Sequence, residues 1–223
     1  MPKAVILLSG GLDSATCLYI AKAQKYKVHG LILEYGQRHA REIAHAKRLA
    51  RRAGCSSQVL KIRLPWQGSS LLDKKKKLPS RKTIDPKEIP STYVPARNII
   101  FLSFAASYAE AVGAEAIFIG ANAVDYSGYP DCRPEFMRAY EAMLAKGMKS
   151  GVRGKRIRVK TPIIRLSKAQ IIRKGMKLGV PYQYTWSCYR GGKKPCGVCD
   201  SCRLRAKGFE EAGFADPAEA GKK

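Results

Sequence analysis

The apolar run at residues 4–8 passes directly into Ser9-Gly10-Gly11-Leu12-Asp13-Ser14. A strand, a glycine turn and a helix start follow one another without a spacer. That order commits the chain to an α/β fold whose first crossover begins at a phosphate-sized cradle. Gly10 and Gly11 let the backbone come close to an anion, and the unpaired N–H groups of the next helix point into the same space. The Ser9 and Ser14 hydroxyls can donate to that anion, while Asp13 and Ser14 favour helix initiation. The loop lacks the Gly-Lys-Ser/Thr ending of a Walker A sequence, so it suits a departing pyrophosphate better than a γ-phosphate in transfer. An ordinary glycine turn, the competing reading, requires neither the flanking hydroxyls nor the acid.

The alternation continues along the chain. Residues 28–33 form a second apolar run, and helical spacing follows at Ala40, Ile43, Ala44, Ala46, Leu49, Ala50 and Ala53, with a stop at Gly54. Residues 58–62 predict a third strand. Residues 64–90, rich in proline and charge, break the pattern and predict an insertion on the open edge of the sheet. Pro95 is placed to open, as its first residue, a long apolar helix through Ile99, Leu102, Ala106 and Ala109 that ends at Gly113. A short buried strand at 116–120, a helix at 133–146, a strand at 157–160 and a helix capped by Ser167 and running to about 178 complete the order. Such a chain predicts a mainly parallel sheet with helices on both faces, whose ligands sit at the carboxyl edge beside the glycine loop. We expect a nucleotide-binding α/β domain over residues 1–180, with the insertion at about 64–92, then a metal-binding segment over 181–223.

The 223 residues suffice for a sizeable core. No apolar stretch nears the roughly 20 residues of a membrane span, and the N-terminus enters a strand without the regions of a signal peptide. Seven cysteines is an odd number, and four of them, Cys188, Cys196, Cys199 and Cys202, crowd into one short segment. A cytoplasmic protein is therefore expected, rather than a disulfide framework. The two-residue gaps let successive thiolates turn onto one tetrahedral ion, and four sulfurs without water favour a structural Zn²⁺. Gly191, Gly192, Pro195 and Gly197 supply the tight turns. An iron–sulfur cluster accepts the same spacing and stays open on the cysteines alone. Cys17 and Cys55 read as small buried residues, and Cys132 has no assignment.

The formal charge of +25 is far beyond what solubility needs, and residues 142–199 contain no acid. A field of that sign attracts RNA, DNA and nucleotides alike, and a solvated basic surface is the competing account. We expect nucleic-acid binding to be weak and nonspecific at most. The lysine run at residues 74–77 reads as an exposed loop.

The Ser9–Ser14 loop resembles the PP-loop of the ATP pyrophosphatase superfamily, with its adenine nucleotide alpha hydrolase-like fold. Together with the four cysteines, the segments between make the chain similar to the 7-cyano-7-deazaguanine synthase family. They are Tyr35-Gly36-Gln37-Arg38-His39, Tyr93-Val94-Pro95-Ala96-Arg97-Asn98, Gly120-Ala121-Asn122 with the following Asp125 to Pro134, Lys160-Thr161-Pro162 and Trp186-Ser187-Cys188-Tyr189. The lysine run and the basic balance depart from the family pattern. The resemblance implies ATP cleavage between the α- and β-phosphates, with Mg²⁺ shared among the phosphates. It implies conversion of 7-carboxy-7-deazaguanine and ammonia to the nitrile, at two ATP per nitrile, on the way to queuosine or archaeosine. A homodimer is expected.

Carried onto this chain, the resemblance gives Leu8, Ser9, Gly10, Gly11, Leu12, Asp13, Ser14 and Lys168 to ATP, and makes Asp13, Arg97 and Lys160 the expected catalytic groups. Lys160 ends a strand and Lys168 starts a helix, both at the carboxyl edge, where they can neutralise phosphate charge as pyrophosphate forms; a solvated lysine is the competing reading. Arg97 lies at a helix N-terminus, fit to hold a phosphate or the substrate carboxylate, against a surface or ion-pair role. Asp125, Tyr126, Tyr129, Asp131 and Arg133 are the expected substrate contacts. A tyrosine there can stack on the base and an aspartate can accept from its N–H edge, with turn chemistry as the competing reading. His39 is a phosphate ligand, a base or a structural residue, and His29 and His45 have no assigned role.

Two other readings stay open. One is an RNA-modifying PP-loop enzyme that adenylates a tRNA base, although no cysteine pair outside the cluster is arranged for sulfur transfer. The other is a zinc-ribbon nucleic-acid-binding module on an inactive nucleotide fold, against which the intact loop argues.

Overall fold

The computed structural model describes residues 1–38, 41–66, 68–73, 75–79, 89–122 and 129–218. Five strands, β1 (Lys3–Leu7), β2 (Lys27–Glu34), β3 (Ser56–Lys61), β4 (Ala116–Phe118) and β5 (Arg158–Lys160), form one sheet in the order β3-β2-β1-β4-β5. Every neighbouring pair is parallel. The helices are α1 (Leu12–Ala23), α2 (Arg41–Arg52), α3 (Arg97–Val112), α4 (Pro134–Gly147), the single turn α5 (Lys149–Val152), α6 (Lys168–Lys177) and α7 (Asp200–Ala212). Among the described residues, no helix is long and apolar enough to cross a membrane.

The period-two alternation of the strands divides the core between two faces. Ala4, Ile6, Val28, Ile32, Ala116 and Phe118 point to one face, where α1, α2, α6 and α7 cover them with Leu18, Leu49, Ile171 and Phe209. Val5, Leu7, Leu31, Leu33 and Ile117 point to the other, under Leu102, Ala105 and Ala109 of α3 and Met137, Tyr140 and Leu144 of α4. The central strands are buried on both sides, which is why they read as unbroken apolar runs. Strand order reverses at β1, whose neighbours are β2 and β4. The carboxyl ends of β1 and β4 thus flank the crevice where ligands of open α/β sheets bind.

Three local results refine the sequence reading. Pro95 is not the first residue of α3, which begins at Arg97 after Ala96 takes a left-handed conformation with φ 53°. That turn removes Pro95 from the helix, and the open N–H of Asn98 is met by Asp131 Oδ2 at 3.0 Å. Ser167 caps α6 as expected, through a full capping box with Gln170. The segment after β3 leaves from the sheet edge, and its described residues then reach over the carboxyl ends of the strands. Leu71 O accepts from Arg38 N at 3.1 Å, and Leu71 packs with Tyr35 and Val94.

The helix α7 was not anticipated. It grows out of the cysteine cluster and packs on α6, with Phe209 and Ala212 in the same core as α1. Arg205 ties it down further, pairing with Asp216 at 2.6 and 2.8 Å and donating to Thr185 Oγ1 at 2.6 Å and Tyr182 O at 3.2 Å.

Candidate active site

The glycine loop is built by its own hydroxyls. Ser14 Oγ donates to Gly11 O at 3.1 Å, accepts from Ser9 N at 3.2 Å and lies 3.0 Å from Ser9 Oγ. Ser9 Oγ in turn accepts from Gly11 N at 3.3 Å. The loop is thereby pre-shaped, with the N-terminus of α1 behind it. Gly10, at φ +84°, passes so close to α2 that a Cβ would lie 2.3 Å from Glu42 O and 2.8 Å from Ala46 N. No other residue fits there.

A cavity of about 260 Å³ opens over this loop. Its end over the glycine loop has Ser9, Gly11, Asp13 and Ser14, and its far wall has Tyr35, Leu71, Arg97, Phe101 and Tyr129. Trp186, Ser187, Tyr189 and Ser201 close a third side. One polar end meets one aromatic wall, the arrangement expected of a pocket for a phosphate-bearing ligand and a flat ring.

The expected site residues separate into groups. Ser9, Gly11, Asp13, Ser14, Arg97 and Tyr129 line the cavity, as does Leu8. Lys168 reaches across from α6 and holds both Asp13 carboxylate oxygens, at 2.8 and 2.9 Å. Tyr129 turns its hydroxyl to Thr92 Oγ1 at 2.5 Å, leaving its ring to the cavity wall. Asp131 is buried and caps α3, giving its main-chain oxygen to Asn98 Nδ2 at 3.3 Å as well; it is not part of the lining. Lys160 and Arg133 are exposed and lie outside the lining as well. Asp125, Tyr126 and His39 fall outside the described residues.

Arg97 is half-buried at the start of α3. Burial works against its charge, but the Tyr35 and Tyr129 hydroxyls, Cys132 and Asp131 favour it more, so the guanidinium is held above its ordinary value. It stays cationic at every working pH. Burial pushes the Tyr35 hydroxyl up to about 12 against the pull of Arg97, which keeps it a neutral donor. Burial, helped by the Asp131 carboxylate, likewise pushes the Cys132 thiol up to about 11. Cys132 lines the cavity and accepts from Asn98 Nδ2 at 3.2 Å, so it serves there as a neutral wall atom and not as a thiolate.

Sequence reading gave no role to Tyr35, Leu71, Asn98, Phe101 or Trp186. Tyr35, Asn98 and Trp186 stand inside quoted motifs, and that was the signal available for them. Leu71 and Phe101 carry no signal of their own, since each reads as an apolar residue in a loop or a helix.

The four cysteine Sγ atoms all lie within 4.8 Å of one another. A tetrahedral ion with metal–sulfur bonds of about 2.3 Å needs sulfur–sulfur edges of about 3.8 Å, so the cluster can close on one ion with small shifts. Cys196 N and Cys199 N donate to Cys188 Sγ and Cys196 Sγ at 3.3 and 3.4 Å. Cys199 and Cys202 donate to Cys188 and hold it below the usual thiol range, while both donors are shifted upward. Four sulfurs gathered this closely are a donor set suited to a divalent ion.

The model of the queuosine biosynthesis protein QueC family matches residues 3–213. The chain belongs to the 7-cyano-7-deazaguanine synthase family. It is 55% identical over 218 residues to the Thermoplasma acidophilum protein of that name, covering 97% of this chain and 91% of the relative. It is 53% identical to the Acetivibrio thermocellus 7-cyano-7-deazaguanine synthase, covering 98% of each. Members of this synthase family are enzymes of the ligase type, and this chain is one. Among solved structures, a 4-thiouridine synthetase–RNA complex with bound ATP aligns with a TM-score of 0.52 at 18% identity, covering 95% of this chain and 50% of that one. The NMN synthetase of Francisella tularensis aligns at 0.50 and 16%, covering 99% and 81%. These likenesses establish the PP-loop fold, the architecture expected from the sequence.

Proposed function

We propose that this synthase-family member converts 7-carboxy-7-deazaguanine and ammonia to 7-cyano-7-deazaguanine at the cost of two ATP. The observation that carries the reading is the single cavity shared by the glycine loop and the aromatic wall. A carboxylate is a poor electrophile at neutral pH, so one oxygen must first attack the α-phosphorus of ATP and expel pyrophosphate. Ammonia then attacks the acyl carbon and AMP leaves, giving the amide. The amide oxygen then attacks the α-phosphorus of a second ATP and expels pyrophosphate, and loss of AMP and of the two amide N–H protons gives the nitrile.

The residues divide this work. The α1 N–H groups and the Ser9 and Ser14 hydroxyls receive the departing pyrophosphate, where charge accumulates. Lys168, fixed on Asp13, adds a cation beside them. Arg97 orients the substrate carboxylate with a planar, permanently charged fork. Tyr35, Phe101 and Tyr129 take the ring, and Leu71 and Trp186 exclude water from the acyl adenylate. Asp13 and Glu42 are the carboxylates of the lining, and they would hold Mg²⁺, which supplies charge neutralisation to the polyphosphate. Cys188, Cys196, Cys199 and Cys202 would hold Zn²⁺ as a structural ion. Lys160 and Arg133 would act from outside the cavity wall, and Asp125 and Tyr126 would complete the ring contacts. The product would supply queuosine or archaeosine formation in the cytoplasm, with the enzyme acting as a homodimer.

The test is incubation of the purified protein with ATP, Mg²⁺, ammonium and 7-carboxy-7-deazaguanine. AMP and a nitrile of the expected mass support the reading, and AMP without nitrile overturns the substrate assignment.

A further inference from the structure

Trp186 joins two motifs that the sequence presents far apart. Its backbone N–H donates to Gly10 O at 2.9 Å, inside the glycine loop. Its indole N–H donates to Cys188 O at 2.8 Å, on the first residue of the cysteine cluster. The ring lies 5.5 Å from that of His45 and under the Arg41 guanidinium at 5.7 Å, both on α2. Since α2 also presses on Gly10, the loop is clamped between that helix and the chain entering the cluster.

The cluster forms a wall of the cavity as well. Ser187 and Tyr189 flank Cys188, Ser201 lies between Cys199 and Cys202, and all three line the space above the loop. Residues 190–195 carry no large apolar side chain; Tyr189 before them is partly buried, against Trp186 and the cysteines on one side and the Tyr35, Leu71 and Val94 cluster on the other. Arg41 adds one strap, to Lys193 O at 3.3 Å. An ion bound by the four sulfurs would tie residues 190–195, and the wall beside them, to the rest of the cluster.

We propose that the metal held by the four cysteines and ATP held by the glycine loop are thermodynamically coupled through Trp186, each raising the affinity for the other. The proposal rests on the ATP site described above. Without the ion, the wall samples other arrangements and ATP must order it on binding, which lowers the apparent affinity. Linkage then requires the reverse effect at equal size. The body of the fold does not depend on the ion in the same way. Arg205 holds residues 182–187 through Thr185 and Tyr182, and Phe209 seats α7 in the main core.

The experiment uses the full chain, zinc-loaded and after chelation, with folding followed by far-UV circular dichroism. ATP binding in the presence of Mg²⁺ is measured by equilibrium dialysis, and zinc affinity by competition with a colorimetric chelator. ATP should bind about tenfold or more weakly to the zinc-free protein, and ATP should strengthen zinc binding by the same factor. With Trp66→Phe, Trp186 is the only tryptophan left of the two, and its emission should shift on zinc removal and again on ATP binding. Trp186→Ala keeps all four sulfurs and should weaken ATP binding in the loaded protein while reducing the zinc effect to within about twofold. Equal ATP affinity with and without zinc overturns the coupling, as does an undiminished zinc effect in Trp186→Ala. If chelation unfolds the chain, Trp186→Ala in the loaded state decides, and unchanged ATP affinity there overturns it. Absence of ATP binding to the loaded wild-type protein overturns the nucleotide-site reading itself, and the coupling with it.

Discussion

At the scale of single residues, the cavity depends on a few atoms with no substitutes. Asp13 sits in the first turn of α1 and takes both ends of its carboxylate to Lys168. It therefore fixes the Lys168 cation beside the glycine loop as well as its own charge. Asp13→Ala should cut AMP formation about 100-fold or more, in the range of lost transition-state charge stabilisation. The circular dichroism spectrum should remain that of an α/β protein, and radiolabelled ATP resolved by chromatography gives the rate. Turnover at the parental rate would reduce the loop to a structural turn. Gly10 answers a different demand. In Gly10→Ala the new methyl meets the backbone of α2, which cannot rotate away, in a conformation with positive φ. Overpacking and backbone strain together should lower unfolding stability by about 2–4 kcal/mol, read from the denaturant midpoint.

At the scale of elements, α6 and α7 show how a helix remote in sequence positions a side chain at the glycine loop. Gly208 lies in the middle of α7, where glycine costs about 1 kcal/mol of helix stability relative to alanine. The reason is a crossing: a Cβ there would lie 2.3 Å from Lys168 Cγ, 2.9 Å from Lys168 Cβ and 3.0 Å from Ile172 Cδ1. The stem of Lys168 runs over the missing side chain on its way to Asp13. Gly208→Ala should therefore gain the propensity term and lose more to overpacking, for a net loss of about 1–2 kcal/mol. It should also weaken ATP binding several-fold, because Lys168 is displaced. Unchanged ATP affinity, measured by calorimetry, would show that the lysine stem has room to move. This crossing was not legible in the sequence, where residues 181–223 read only as a metal-binding segment. What was legible is local. The strand–turn–helix at residues 4–14, the Ser167 cap and the thiolate spacing each follow from neighbours a few positions apart. The walls of the cavity are not local: Leu71, Phe101 and Trp186 line one space only because two connections and the first turns of α3 converge on one sheet edge. Pro95 is not the helix opener because the left-handed turn at Ala96 starts α3 at Arg97, and the open N–H of Asn98 is met by Asp131, 33 positions away.

At the scale of the whole molecule, the charge of +25 needs an account. Several of the cations are engaged within the fold. Arg48 and Arg52 lie over the Tyr184 ring at 3.9 and 4.3 Å, Arg173 reaches Glu211 O and Ala212 O, Lys168 is in a partly buried pair with Asp13 and Arg205 in a buried pair with Asp216. The acid-free stretch at residues 142–199 contains β5, α6 and the approach to the cluster, and it does not form a separate basic arm. Such a distribution favours nucleotide capture at the carboxyl edge over docking of a nucleic acid along a dedicated surface. The two possibilities respond differently to salt. A surface engaging 6–10 phosphates would lose about 10³–10⁵ in affinity between 50 and 200 mM salt, through counterion release. A free base and one nucleotide engage far fewer charges, so nitrile formation should change by no more than about threefold over that range, with tRNA binding weak and nonspecific near 150 mM. Filter binding of tRNA alongside nitrile formation in the same buffers tests both. Tight, site-selective tRNA binding at physiological salt, with modification of the bound RNA, would transfer the chemistry from the free base to the nucleic acid.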